Sequence, residues 1–168
     1  MAPAKIVVLG CGNTLAGDDG VGVEVLRALE QAGLPPGVSL VEAGAPGFGL
    51  LDLMFGAEKA IIVDAVLARG EPGRVFRWTE AEVPEKATPV LSVHDIKIRD
   101  TLQFGHRSLA EHMPAEVVII GIAIEDAEPW HMGLSPAVAQ AVPEAAQTVL
   151  KQIDAWTRQF GSGLDSSK

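Results

Sequence analysis

Cysteine, basic side chains and long apolar runs are all scarce in this sequence. It has 168 residues and one cysteine, Cys11, so a disulfide framework or a multi-cysteine metal site within the chain is excluded. Lys and Arg number 13 against 22 Asp and Glu, a net charge of -9, and no basic face of the kind nucleic acids need is visible. The longest apolar run, residues 117–124, is too short to cross a membrane, and no stretch reads as a signal peptide. We therefore expect a cytoplasmic protein with no membrane insertion and no nucleic-acid partner, whose acidic surface tolerates cations or basic peptides.

Short apolar runs alternate with amphipathic segments along the chain. The runs at 6–9, 61–63 and 117–122 are typical of strands buried on both faces, while 38–41 and 75–78 are weaker strand candidates, the second nearer a sheet edge. Helices are predicted at 20–32, 48–55, 95–112 and 136–160. This alternation predicts a single α/β domain over residues 1–160, with a mostly parallel sheet flanked by helices, and a flexible tail at 161–168.

The stretch GCGNTLAGDDGVG, residues 10–22, begins like a nucleotide-binding turn. Gly10 and Gly12 follow the first strand, as glycines do where backbone N–H groups bind a pyrophosphate. Leu15 stands where that fingerprint has its third glycine, and Asp18 and Asp19 would oppose a phosphate at the start of the next helix. The turn is therefore predicted to position an acid for a cation, with one aspartate as helix cap and the other as functional acid.

Three side chains that can bind metals follow predicted strands. Asp19 comes after the first, Asp64 closes the strand at 61–63, and His94 ends the loop after 75–78. Because the carboxyl ends of parallel strands meet at one sheet edge, we expect the three to lie together. Two carboxylates and an imidazole suit a divalent first-row metal, nickel and zinc included, and any of them could instead be a general base. A turn or cap role stays open for each, although a buried Asp64 costs free energy unless it is paired.

Other polar side chains receive simpler interpretations. Cys11 is predicted to be a small buried residue of the turn and not a nucleophile, because nothing places a base beside it. Asn13 is expected to hydrogen-bond the turn backbone or an incoming ligand. His106, His112 and His131 are expected on the surface without partners.

The turn sequence resembles the N-terminal signature of the hydrogenase maturation endopeptidases. Four further stretches follow in the family's order, EAGAPGFGLLDLM, AIIVDAVLARGEPG, LSVHD and EPWHMGLSP, so the similarity covers roughly residues 5 to 155. The resemblance implies a three-layer α/β sandwich with a twisted sheet of about five strands. It also implies removal of a C-terminal extension from the precursor of a nickel-iron hydrogenase large subunit, after nickel insertion. One departure is Ile124, where similar proteins often have proline, which affects only the shape of the following loop.

The resemblance also implies roles for individual residues. Asp19, Asp64 and His94 match the family's metal-binding cleft, with Asp19 and Asp64 as the catalytic acids and Gly10, Gly12 and Asn13 as the supporting turn. The nickel is expected to be held by the substrate, and no organic cofactor is expected.

Two alternatives to this function stay open. A nickel-dependent checkpoint or chaperone would hold the precursor without cutting it, since no orthodox protease nucleophile is evident. A cofactor-binding α/β domain is disfavoured by Leu15 and by the acidic pair at residues 18 and 19.

Overall fold

The computed structural model describes residues 5–84 and 97–162, with side chains described through Phe160. Its elements, in chain order, are β1 (Ile6–Cys11), a 3₁₀ turn (Gly17–Gly20), α1 (Val21–Ala32), β2 (Val38–Gly44), α2 (Gly49–Met54), β3 (Lys59–Leu67), β4 (Val75–Thr79), α3 (Ile98–Ser108), a second 3₁₀ turn (Ala110–His112), β5 (Glu116–Ile124) and α4 (Pro136–Ser162). No helix in these ranges is long and apolar enough to cross a membrane.

One sheet of five strands organises these elements, in the order β2-β1-β3-β5-β4. Four strands are parallel, and β4 runs antiparallel to β5 at the edge. The chain moves outward from β1 to β2 and then crosses to the other side of β1 to form β3. Strand order therefore reverses between β1 and β3, which is where open α/β sheets bind ligands. The expected α/β sandwich with a mostly parallel sheet is confirmed.

The two faces of the sheet are covered by different helices. On one face Val8, Ile61 and their neighbours pack with α1 and α4. On the other, Leu9 and Ile62 pack with α2 and α3, and Cys11 belongs to this second cluster. Side chains alternate between the faces of a strand, so Asp64 lies on the same face as Ile62.

The strand β3 is longer than the sequence predicted, and Asp64 does not close it. Pairing with β5 continues through Asp64↔Gly121 to Leu67↔Ile124, whereas pairing with β1 stops at Gly10↔Val63. Asp64 therefore lies inside β3 but one residue beyond its pairing with β1. The strand continues because β5 supplies hydrogen-bonding partners along its whole length.

Several predicted helix features also need correction. Neither Asp18 nor Asp19 caps α1, whose N-cap is Gly20 without a side-chain hydrogen bond. The helix predicted at 95–112 is α3, which ends at Ser108 and is followed by a 3₁₀ turn; residues 95 and 96 lie outside the described part. The helix α4 continues to Ser162, two residues into the segment assigned to the tail, and 163–168 are not described. The helix α1 ends at Ala32, and Gly33 follows it with φ 78°.

Candidate active site

The turn after β1 is held tight by glycines. Gly12 has φ +118°, and a Cβ at this position would lie 1.8 Å from the backbone oxygen of Asp19. A Cβ on Gly22 would meet the backbone oxygens of Cys11 and Val63 at 2.3 and 2.6 Å. The first turn of α1 thus packs directly on the ends of β1 and β3, which only residues without a side chain allow.

Asn13 orders this turn with both its backbone and its side chain. Its backbone N–H donates to Oδ2 of Asp19 over 2.9 Å, and its Oδ1 accepts the N–H of Leu15, also over 2.9 Å. The second contact confirms the expected hydrogen bond to the turn backbone. The first contact means that Asp19 does not cap α1, because its carboxylate faces back toward β1.

Asp19 is buried, with 7% of its surface exposed. Burial raises the pKa of its carboxyl group, and the hydrogen bond from the Asn13 N–H offsets part of that rise. The second carboxylate oxygen, Oδ1, is buried without a hydrogen-bond partner among the described residues. Asp19 therefore presents an acceptor for which the described part of the chain supplies no donor.

Asp64 is fully buried within β3. Its Oδ1 accepts the backbone N–H of Ala65 over 2.8 Å, and its Oδ2 has no hydrogen-bond partner among the residues that the structure describes. Burial raises the pKa of this carboxyl group well above its ordinary value, the charge of Asp19 raises it further, and the Ala65 N–H opposes both. The charge of Asp19 acts on Asp64 because Asp64 lies one residue beyond the pairing of β3 with the end of β1, next to the turn that holds Asp19.

Cys11 belongs to the same neighbourhood, but its environment does not favour a reactive thiolate. The side chain is free of disulfides and completely buried, as predicted. Burial raises the pKa of the thiol well above its ordinary value, and the charges of Asp64 and Asp19 raise it further. A nucleophilic cysteine needs the opposite shift.

The two acids alone form an incomplete metal site. Within residues 5–84 and 97–162, no group of three His, Cys, Asp or Glu side chains is arranged to hold a metal ion. His94, the third ligand expected from the sequence, lies outside the described residues and stays a prediction. The paired carboxyl groups are nevertheless suited to a divalent cation, because two ionised carboxylates would neutralise its charge.

Asp18 has a role that the sequence did not reveal. Its carboxylate accepts the backbone N–H of Ser135 over 2.6 Å and the Ser135 hydroxyl over 2.8 Å. Because Ser135 directly precedes α4, Asp18 fastens the start of that helix to the turn that holds Asp19. The partners are 117 residues apart, and no local pattern signals such a contact.

The remaining histidines lie on the surface as expected, but they have partners. Nε2 of His106 lies 2.9 Å from Oε2 of Glu80, and the His112 ring contacts Phe55. The backbone oxygen of His131 accepts the N–H of Gly17 over 2.7 Å. The expectation that these histidines lack partners was wrong.

Fold and site together define an α/β protein with a buried pair of acids at the topological switch point of its sheet. Comparison with known proteins gives this class its identity. A family model described as HycI, hydrogenase maturation protease, matches residues 23–152, a range that includes Asp64 and begins just after the turn of Asp19. The chain belongs to the hydrogenase maturation protease family, whose members are peptide-bond hydrolases.

Individual relatives are similar to this chain over nearly its whole length. The chain is 34% identical to the hydrogenase 2 maturation protease of Escherichia coli strain K12, over 87% of this chain and 88% of that protein. The solved structure of the hydrogenase maturating endopeptidase HybD from E. coli matches with a TM-score of 0.72 and 28% identity, over 90% and 93% of the two chains. The [NiFe] hydrogenase maturation protease HybD from Thermococcus kodakarensis matches with a TM-score of 0.64 and 25% identity, over 88% and 98%.

Proposed function

We propose that this protease removes the C-terminal extension of a nickel-iron hydrogenase large-subunit precursor and recognises nickel that the precursor already holds. Asp19, Asp64 and His94 are the side chains assigned to that recognition. Asp19 and Asp64 are also the catalytic acids. The enzyme supplies these three side chains, and the metal arrives with the substrate.

One observation carries this proposal: two buried carboxyl groups lie together, and each has an oxygen without a partner among the described residues. In the enzyme alone, burial and mutual repulsion favour the protonated state, because both raise the carboxyl pKa of Asp64. A divalent cation favours the ionised state, in which both carboxylates can bind it. Nickel on the precursor therefore supplies the charge that this site lacks.

The same pair can carry out hydrolysis once it is charged. An ionised carboxylate accepts a proton from the attacking water, and a protonated acid can donate one to the departing amine. A metal beside the scissile carbonyl would polarise it. Without nickel the recognition contact is missing and the raised pKa of Asp64 opposes its ionisation, so a nickel-free precursor is not cut.

Cleavage assays on two forms of the precursor test the proposal. The enzyme is first treated with a chelator, and its metal content is measured after the chelator is removed. Mass spectrometry then follows loss of the extension from the nickel-loaded and the nickel-free large-subunit precursor. We expect the metal-free enzyme to cut the first and to leave the second intact.

Two variants sharpen the assay. Asp64→Asn retains the volume of the side chain without its charge and should lose cleavage, and His94→Ala should lose recognition of the nickel-loaded precursor. Asp154→Asn, an exposed position on α4, is the matched control and should cleave normally. Stoichiometric zinc that survives purification, together with cleavage of nickel-free precursor, would contradict nickel recognition.

A further inference from the structure

An exposed apolar surface lies next to the turn that carries Asp19. Trp130 is 91% exposed, Met132 75% and Leu15 46%. Trp130 and Met132 belong to the loop between β5 and α4, and Leu15 belongs to the turn after β1. A parallel bridge between Ala16 and His131 joins the two segments and sets Leu15 alongside Trp130. We call the side chains of Leu15, Trp130 and Met132 the Trp130 surface.

The exposure of Trp130 does not serve the fold. Its indole is almost fully in water, where it contributes no burial, and its backbone has φ 60°, the only positive φ of a non-glycine residue in the described part of the chain. Bulky side chains rarely adopt this conformation, which persists where the surroundings impose it. Exposed tryptophan is instead typical of residues that anchor protein interfaces.

A cleft of about 350 Å³ lies beside this surface and is strongly acidic. The carboxylates that line it are Asp18, Glu125, Asp126 and Glu128. Three of these accept hydrogen bonds from uncharged backbone groups, Asp18 from the Ser135 N–H, Glu125 from the Gly70 N–H and Asp126 from the Ala127 N–H. Such contacts do not cancel the negative charge, so the cleft favours a cationic side chain.

The cleft and the apolar surface both border the turn that carries Asp19. Leu15 and Asp19 belong to the same turn, and the N–H of Gly17 donates to the backbone oxygen of His131 over 2.7 Å. Asp18 lines the cleft while its carboxylate holds Ser135 at the start of α4. A chain segment seated here therefore lies against the turn that carries Asp19.

We infer that the Trp130 surface and its acidic cleft dock the protein substrate, through a segment that places an apolar side chain next to Lys or Arg. The inference rests on the proposed function, since it assigns a docking site for the same precursor. Charge selects this occupant over two others. An anionic lipid surface would be repelled by four carboxylates, and a second copy of this chain has a net charge of -9.

Binding measurements in an Asp64→Asn background test the docking site, because that variant is not expected to cut the precursor and its weakened contact with nickel is common to every variant compared. The probe is the nickel-loaded large-subunit precursor. Trp130→Ala should raise Kd roughly 30-fold, as loss of an aromatic anchor does, and Trp130→Phe should recover part of the affinity. Leu53→Ala, on α2 and 37% exposed, is the apolar control and should bind normally.

Charge variants test the acidic cleft separately. Glu128→Lys and Asp126→Lys should each weaken binding by about tenfold at low salt, and the loss should shrink as salt screens the charges. Affinity of the parent should fall with rising salt for the same reason. A salt-independent Kd that neither lysine variant changes would contradict the inference that the docked segment is basic.

Fluorine NMR gives a readout that does not depend on mutation. The chain has three tryptophans, of which Trp156 is 1% exposed and Trp78 is half-buried. In 5-fluorotryptophan-labelled enzyme, with the Trp130 resonance assigned through Trp130→Phe, only that resonance should shift when precursor is added. An unchanged Trp130 resonance, with normal cleavage and normal binding by Trp130→Ala, overturns docking and leaves the proposed function intact.

The other outcomes are equally decisive. If the wild type neither binds nor cuts the nickel-loaded precursor, the proposed function fails and the docking site fails with it. If anionic vesicles shift the Trp130 resonance, or if it shifts with enzyme concentration as dimers form, the surface serves a membrane or a second copy and the inference is wrong.

Discussion

Asp64 offers a direct way to measure what the candidate site costs the fold. Asp64→Asn retains the side-chain shape and the oxygen that accepts the Ala65 N–H, but it removes a charge from a fully buried position. Because Oδ2 of Asp64 has no hydrogen-bond partner among the described residues, no described donor there offsets the charge. We expect the variant to be more stable at neutral pH, although it loses activity.

The sign follows from proton binding. Burial and Asp19 raise the pKa of Asp64 in the folded protein, so between its unfolded and folded pKa values the native state binds more protons than the unfolded chain. Stability of the wild type therefore falls as pH rises through this window and stays low above it. Below about pH 4 both states are protonated, and the two proteins should be equally sensitive to pH at this site.

The magnitude comes from the buried charge, because the amide nitrogen that replaces Oδ2 is uncharged but equally without a partner among the described residues. A buried charged group with too few hydrogen-bond donors costs about 1–3 kcal/mol, and each unit of pKa change corresponds to about 1.4 kcal/mol. In a domain of this size 1 kcal/mol corresponds to roughly 2–4 °C, so we expect Tm to rise by about 3–10 °C.

Thermal and urea unfolding at pH 4, 6 and 8, followed by circular dichroism, measures the difference. Asp154→Asn should stay within about 0.5 kcal/mol of the wild type at every pH, because its side chain is exposed. An Asp64→Asn protein that is less stable than the wild type at pH 8, or whose advantage does not grow with pH, would refute the reasoning.

Three further predictions concern neighbouring residues. Cys11→Ala should retain cleavage of nickel-loaded precursor and lose roughly 1–2 kcal/mol of stability from the small cavity; loss of cleavage in a folded variant would revive the cysteine as a nucleophile. Gly12→Ala should lose about 1–3 kcal/mol or more in urea unfolding, because its Cβ would meet the Asp19 oxygen at 1.8 Å, and unchanged stability would show that the turn is not tight. Asp18→Ala should lose about 1 kcal/mol as both hydrogen bonds from Ser135 are removed, whereas Ser135→Ala should lose less because the backbone N–H at position 135 still has its acceptor.

The fold was largely predictable because local pattern and global architecture agree. Continuous apolar runs separated by amphipathic helices are typical of central strands, and β1, β3 and β5 are such strands. The end of β3 was not predictable, because an acid after Val63 signals the end of a buried strand. In the structure the strand continues past it, and the sheet accommodates Asp64 opposite Gly121.

The candidate site was predictable only in part. The grouping of Asp19 with Asp64 follows from parallel topology, since both come near the carboxyl end of β1. The different roles of Asp18 and Asp19 do not follow from the sequence, because Asp18 accepts a hydrogen bond from Ser135, which is distant in the chain. His94 was chosen from its motif, and its place in the site stays a prediction.

Coupling between the two acids can be measured with a double-mutant cycle, and it tests the site more strictly than either variant alone. Repulsion from Asp19 contributes to the raised pKa of Asp64. Removing either charge therefore relieves the repulsion, and removing the second relieves nothing more. We expect Asp19→Asn and Asp64→Asn to be non-additive at pH 8, with an interaction of about 0.5–3 kcal/mol and a double variant less stable than the sum predicts. At pH 4 the interaction should shrink, because protonated acids do not repel.

The pair of Asp154→Asn with Asp64→Asn should be additive at both pH values. Strict additivity of the two site variants at pH 8 would mean that the carboxyl groups do not share one electrostatic neighbourhood, and a common cation could not bind both.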